Sequence, residues 1–95
     1  MSILNFSYAD IKDMDKFQQY VKAAASLMEE AGVEVLVRGQ FSEVMRGDEK
    51  KPHIVAVFRY SDRAAVERFY SSKKYQAIIA LRDEACVMTI HLYDE

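Results

Sequence analysis

The stretch of this sequence best equipped for chemistry is RFYSSKKYQAIIALRDEA, Arg68 to Ala85. It reads as helix, a break at Ser71-Ser72, and helix again, with Tyr70 and Tyr75 on either side of the break. Tyr75, Ile79 and Arg82 follow one another at steps of four and three, which sets them on one helical face. If that face covers a sheet, the Tyr75 phenol and the Arg82 guanidinium point into the space between helix and strands, where they could hold a carboxylate-bearing small molecule. Arg38, at the end of a strand, is a candidate third donor. Such donors can also polarise a carbonyl or stabilise an enolate. The competing reading makes Tyr70 and Tyr75 packing aromatics of a broken helix and pairs Arg82 with a carboxylate such as Glu43 or Asp83.

Other reactive residues point less clearly to a site. His91 shares the more polar side of the last strand with Thr89, where a general base could sit, but a lone strand histidine is more often structural. His53 follows Pro52 in a turn and is expected in solvent. Cys86 has no histidine or lysine near it in sequence to lower its pKa and reads as a small core residue. Met14 and Met28 read as core, and Glu29-Glu30 and Lys50-Lys51 as solvated charges at element ends.

The elements that must position these residues follow from periodicity. Leu4, Phe6 and Tyr8 alternate with Asn5 and Ser7, the mark of a strand with one buried face, here expected to be the apolar one. Asp13 is placed to cap a long amphipathic helix in which Met14, Phe17, Val21, Ala24 and Met28 recur at helical spacing, and Gly32 ends it. VEVLVRG alternates as a second strand, and FSEVMRGDEKKP reads as a short strand running into a polar turn. HIVAVFRY is apolar enough for a central strand covered on both faces. Ser61 or Asp62 caps the broken helix, and VMTIHLYDE closes the chain as a strand with Met88, Ile90 and Leu92 on one face.

The order is β-α-β-β-α-β, the split-βαβ arrangement of an α+β, ferredoxin-like fold with an antiparallel sheet and both helices on one side, formed as a single domain over residues 1–95. Val55, Val57, Val87 and Tyr93 leave the other sheet face apolar, so a homodimer packing sheet against sheet is expected.

Composition removes several function classes. Thirteen basic against 15 acidic residues give a net charge of −2 without a long basic run, so nucleic acid is not expected as a partner. A single cysteine excludes an internal disulfide and a Cys-x-x-Cys metal loop, and suits a reducing, cytoplasmic setting. Gly32, Gly39 and Gly47 stand apart, so there is no phosphate-cradling loop; neither a cofactor nor a metal is expected. The beginning of the chain turns polar within a few residues and does not read as a signal peptide or membrane span.

Taken with VRG at Val37 to Gly39 and IVAVFRY before a helix, the stretch from Arg68 to Ala85 resembles the uncharacterised domain-of-unknown-function family 1330 of the dimeric α/β-barrel superfamily. That family's form Phe-Tyr-x-Ser-Pro-x-Tyr-Gln, followed by a helical arginine, is matched by Phe69, Tyr70, Ser72, Tyr75, Gln76 and Arg82, with Lys73 in place of the proline. Gly39 is followed by Gln40 where the family often has a second glycine. The resemblance implies a homodimer with facing sheets and pockets between sheet and helices, and it brings no established reaction. The expectation is a small-molecule-binding homodimer, open to cofactor-independent catalysis, with Arg38, Tyr70, Ser72, Tyr75 and Arg82 around the pocket. The alternative is a non-catalytic protein-interaction module.

Overall fold

The computed structural model describes residues 1–95. Four strands, β1 (Ile3–Ile11), β2 (Glu34–Gln40), β3 (Ile54–Tyr60) and β4 (Cys86–Asp94), form one sheet in the order β2-β3-β1-β4, with every neighbouring pair antiparallel. Helix α1 (Met14–Ala31) links β1 to β2. A helical run of α2 (Arg63–Ser71), α3 (Lys73–Gln76) and α4 (Ile79–Ala85) links β3 to β4. All the helices lie on one sheet face, which makes the fold α+β and ferredoxin-like.

Local chemistry accounts for the helix ends. Asp13 Oδ1 accepts from Lys16 N at 3.0 Å at the start of α1, and Gly32, at φ 73°, turns its N–H back to the Glu29 carbonyl at the end. Asp62 caps α2 by accepting from Ala65 N at 2.8 Å. Ser72, extended at φ −62° and ψ 147°, ends α2 and starts α3 by accepting from Tyr75 N at 3.2 Å. The expected break at Ser71-Ser72 is present, and a second lies at Ala77-Ile78.

Four expectations need correction. The segment after Gln40 forms no strand: one backbone bond, Phe41 N to His53 O at 2.8 Å, closes it, and the polar run beyond leaves Met45 99% exposed. Met14 is exposed, while Tyr20, absent from the expected stripe, is buried with Phe17, Ala24 and Met28. β3 is interior, but only the side bearing Phe58 and Tyr60 is buried under the helices.

The fourth correction matters most. On β1 the buried face carries Ile3, Asn5, Ser7 and Ala9, with Asn5 0% exposed, while Leu4, Phe6 and Tyr8 sit half-buried on the opposite side. The period of two holds and its face is inverted, because Asn5 and Ser7 are buried with hydrogen-bond partners, Tyr70 and each other, that a polarity count does not show. Leu4, Phe6 and Tyr8 therefore join Val37, Val57, Val87, His91 and Tyr93 on a sheet face that no helix covers.

Candidate functional site: a cavity between helix α1 and the sheet

A cavity of about 150 Å³ lies between α1 and the sheet. Two ranks of the ladder form its floor, Ala56-Ser7-Ile90 and Ile54-Ala9-Met88, and α1 forms the roof with Phe17, Tyr20, Val21, Ala24, Ala25 and Met28. The space exists because Ser7, Ala9 and Ala56 below and Ala24 and Ala25 above are small. Phe58, Tyr70 and Arg38 complete the wall.

Arg38 reaches this face through a local irregularity. Val35 lies opposite Phe58 and Val37 opposite Val57, with Leu36 bulged out between them. Regular pairing would keep Val35 and Val37 on one face. The extra residue instead sets Arg38 opposite Ala56, on the helix side at the exposed sheet edge, so the residue lines the cavity rather than the open face.

A network of polar groups runs from the wall into the core behind it. Arg82 Nη1 donates to Tyr75 Oη at 3.1 Å, and Tyr75 Oη is 2.8 Å from Tyr20 Oη. Ser7 Oγ donates to Asn5 Oδ1 at 2.6 Å, and Asn5 Nδ2 donates to Tyr70 Oη at 2.8 Å. The Tyr70 and Tyr75 rings meet edge-on at 4.8 Å, so the two chains of hydrogen bonds run side by side. Tyr60 stands next to Tyr70, with ring centres 6.3 Å apart; its buried hydroxyl makes no hydrogen bond.

Burial raises the Tyr20, Tyr60 and Tyr70 phenols above their ordinary value. These three are neutral O–H groups near neutral pH, able to donate a hydrogen bond and unsuited to act as bases. For Arg82, burial pulls the other way, but the bonds to Tyr75 and Asp83 outweigh it and the guanidinium stays charged.

The structure thus brings Arg38 and Tyr70 to the cavity and places Tyr75 one hydrogen bond, and Arg82 two, behind it. Tyr75 is only 1% exposed. Arg82 also donates Nε to Asp83 at 3.0 Å, the ion pair of the packing interpretation. Ser72 is engaged as a helix cap and lines a different hollow, with Arg68 and Lys74. Sequence reasoning missed Tyr20, Asn5 and Ser7. For Tyr20 a signal existed, since it stands three residues after Phe17 and four before Ala24; for Asn5 and Ser7 there was none beyond their alternation.

The remaining candidates lie elsewhere. His91 is on the open face, edge-on to Tyr8 at 5.6 Å, with the sheet between it and the cavity, so it exchanges no proton with anything bound there. His53 is half-buried rather than in solvent, stacked on Phe41 at 4.9 Å. Cys86 is 2% exposed and burial pushes its thiol up, as befits a core residue.

Known structures share this architecture. A protein of unknown function from Rhodopseudomonas palustris superposes with a TM-score of 0.88 at 15% identity, over 99% of this chain and 82% of that one. The cofactor-independent oxygenase SnoaB from Streptomyces nogalater gives 0.73 at 9% identity, over 99% and 92%. A de novo designed protein gives 0.68 at 13% identity, over 100% and 99%. At such identities the likeness establishes the fold alone, and a designed scaffold among the matches makes the same point. No curated protein matches the chain, and no helix is long and apolar enough to cross a membrane. The model of the domain of unknown function (DUF1330) matches residues 4–95, so the chain belongs to that family.

Proposed function

We propose that the chain folds as one domain, pairs as a cytoplasmic homodimer through its open sheet face, and binds a small organic molecule in the cavity under α1. The cavity carries this reading: it has room for a ring-sized ligand, an apolar wall, and Arg38 and Tyr70 as polar groups in its lining. Tyr75 and Arg82 support the site from behind. A protein-interaction module whose tyrosines only pack would have no use for this space. The dimer is supported by Leu4, Phe6, Val57 and Tyr93 on a face the chain itself does not cover. The cytoplasmic setting is supported by the lone, free cysteine.

Catalysis fits the same site in one form. Neutral phenols and a guanidinium can polarise a carbonyl, so a cofactor-independent reaction on a small carbonyl or carboxylate compound is the enzymatic version of this proposal. That SnoaB shares the fold and works without a cofactor adds support by analogy.

Native mass spectrometry of the purified protein tests both halves at once. A dimer carrying a small-molecule mass supports the proposal. A monomer at micromolar concentration sinks the dimer, and a ligand-free protein whose Ala24 and Met28 methyl signals respond to no small molecule sinks the binding site.

A further inference from the structure

We infer that Tyr20 and Tyr70 act as a pair of O–H donors in the cavity wall and grip one neutral acceptor oxygen, the carbonyl of a flat and otherwise apolar ligand. This rests on the binding reading above and names the class of ligand. Tyr70 Oη accepts from Asn5 Nδ2 at 2.8 Å, so one side of its oxygen is filled and its proton is not used in that bond. Tyr60, buried beside it with an unpartnered hydroxyl, is a second group able to donate to the same oxygen.

Tyr20 is set up in the same way. Arg82 donates to Tyr75, and across the 2.8 Å between Tyr75 and Tyr20 either hydroxyl can be the donor; in the proposed arrangement the Tyr75 proton goes to Tyr20. Tyr20 then has its own proton to give. Each donation from behind also polarises the next O–H, which strengthens the bond made at the end of the chain. Tyr20 and Tyr70 both adjoin Tyr75 and both line the cavity.

The rest of the wall fixes the ligand's character. Beyond Ser7, whose hydroxyl is committed to Asn5, and Arg38 at the edge, the lining is hydrophobic. About 150 Å³ suits one aromatic ring with a short substituent. A carboxylate is a poor match for the interior, because Arg82 reaches it only through Tyr75 and Arg38 stands at the exposed sheet edge. An aryl ketone fits: its ring against Ala24, Met28 and Ile90, its oxygen between the two phenols.

The probe pair is acetophenone and α-methylstyrene, which share a shape and differ in having C=O or C=CH2. Ligand-observed NMR titrations with methyl shifts of Ala24 and Met28 report binding in the cavity, and difference infrared reports the carbonyl stretch of bound acetophenone. We expect acetophenone to bind roughly tenfold tighter, as two modest hydrogen bonds would give, with its stretch moved to lower frequency. In Tyr20→Phe the preference for acetophenone over α-methylstyrene shrinks and the stretch moves back toward its unbound position. Equal affinities with an unshifted stretch in the unmodified protein overturn the donor pair and leave the cavity reading standing. Failure of both compounds to shift the cavity methyls overturns the two together.

Discussion

Tyr20 Oη and Tyr75 Oη lie 2.8 Å apart although 55 positions separate the two residues. This bond ties the middle of α1 to the short helix α3, and Arg82 extends it to α4. Tyr75 is buried away from the cavity lining, so its hydroxyl cannot turn to water if its partner is removed. Tyr75→Phe is expected to cost about 1–3 kcal/mol, since it takes a partner from both Tyr20 Oη and Arg82 Nη1, and Tyr20→Phe less, about 0.5–1.5 kcal/mol, since Tyr75 Oη keeps the Arg82 bond. The double variant should cost less than the sum, with a coupling of roughly 1 kcal/mol. Urea denaturation of the four proteins checks this, and strict additivity would show that the two phenols do not depend on each other.

Asn5 is the second point at which the buried network can be cut. Its amide serves Tyr70 through Nδ2 and Ser7 through Oδ1. Asn5→Leu keeps the volume and strips both partners, so it should destabilise by about 1–3 kcal/mol, whereas Ser7→Ala removes one donor and should cost about 0.5–1.5 kcal/mol. Thermal and urea unfolding would rank the two, and the reverse order would place the weight of the network on Ser7.

The sequence disclosed elements more readily than faces. Helix α1 could be bounded because Asp13 and Gly32 act locally, through a cap and a left-handed turn that need no tertiary partner. The break at Ser71-Ser72 was legible for the same reason. The face of β1 was not, because Asn5 and Ser7 are buried by what lies across from them, namely Tyr70 and each other, and only the assembled fold shows those partners. Arg38 was a candidate from its position near a strand end, yet its side of the sheet depends on the Leu36 bulge, which alternation alone would have placed wrongly. Tyr75 and Arg82 were found through their spacing. What spacing could not reveal is that Tyr20, from another helix, stands between them and the cavity.

An ion triad makes an acid-labile contact at one end of the sheet. Arg59 donates to Glu95 through Nε and Nη2, both at 2.7 Å, and to Glu34 through Nη1 at 3.0 Å. The Arg59 bonds, helped by Ser2, hold the Glu95 carboxyl down at about 2, below its ordinary 4.5. A carboxylate depressed in the folded state contributes stability above its unfolded pKa and loses it as pH falls through the folded one. The difference in melting temperature between the unmodified protein and Glu95→Gln should therefore be steady above pH 4.5 and shrink between pH 4.5 and about 2. A gap unchanged over that window would show that the pair adds no stability through charge.

The open sheet face makes its own prediction. Val37, Val57, Phe6 and His91 form one rank across all four strands, with Val57 near the middle. In the proposed dimer a charge there would have no solvent between the two packed sheets. Val57→Asp should halve the mass measured by light scattering while leaving the circular dichroism spectrum unchanged, because the side chain points away from the helices. A dimer that survives this substitution would have to be built on another surface.

Lys73 offers a stabilising change at the break itself. It is the first residue of α3, where the backbone N–H has no helical acceptor, so a proline there removes no hydrogen bond of the helix. The residue before it is already suited: Ser72 at φ −62° and ψ 147° has the extended backbone that a following proline requires. The Lys74 ammonium, not that of Lys73, pairs with Glu30 at 3.1 Å, so no ion pair is lost. Lys73→Pro should then stabilise the protein by about 0.4–1 kcal/mol, mainly by narrowing the unfolded chain's freedom. Chemical denaturation would show it as a higher midpoint at unchanged slope. Destabilisation instead would mean that the chain between α2 and α3 relies on the Lys73 N–H or on a freedom that a ring removes.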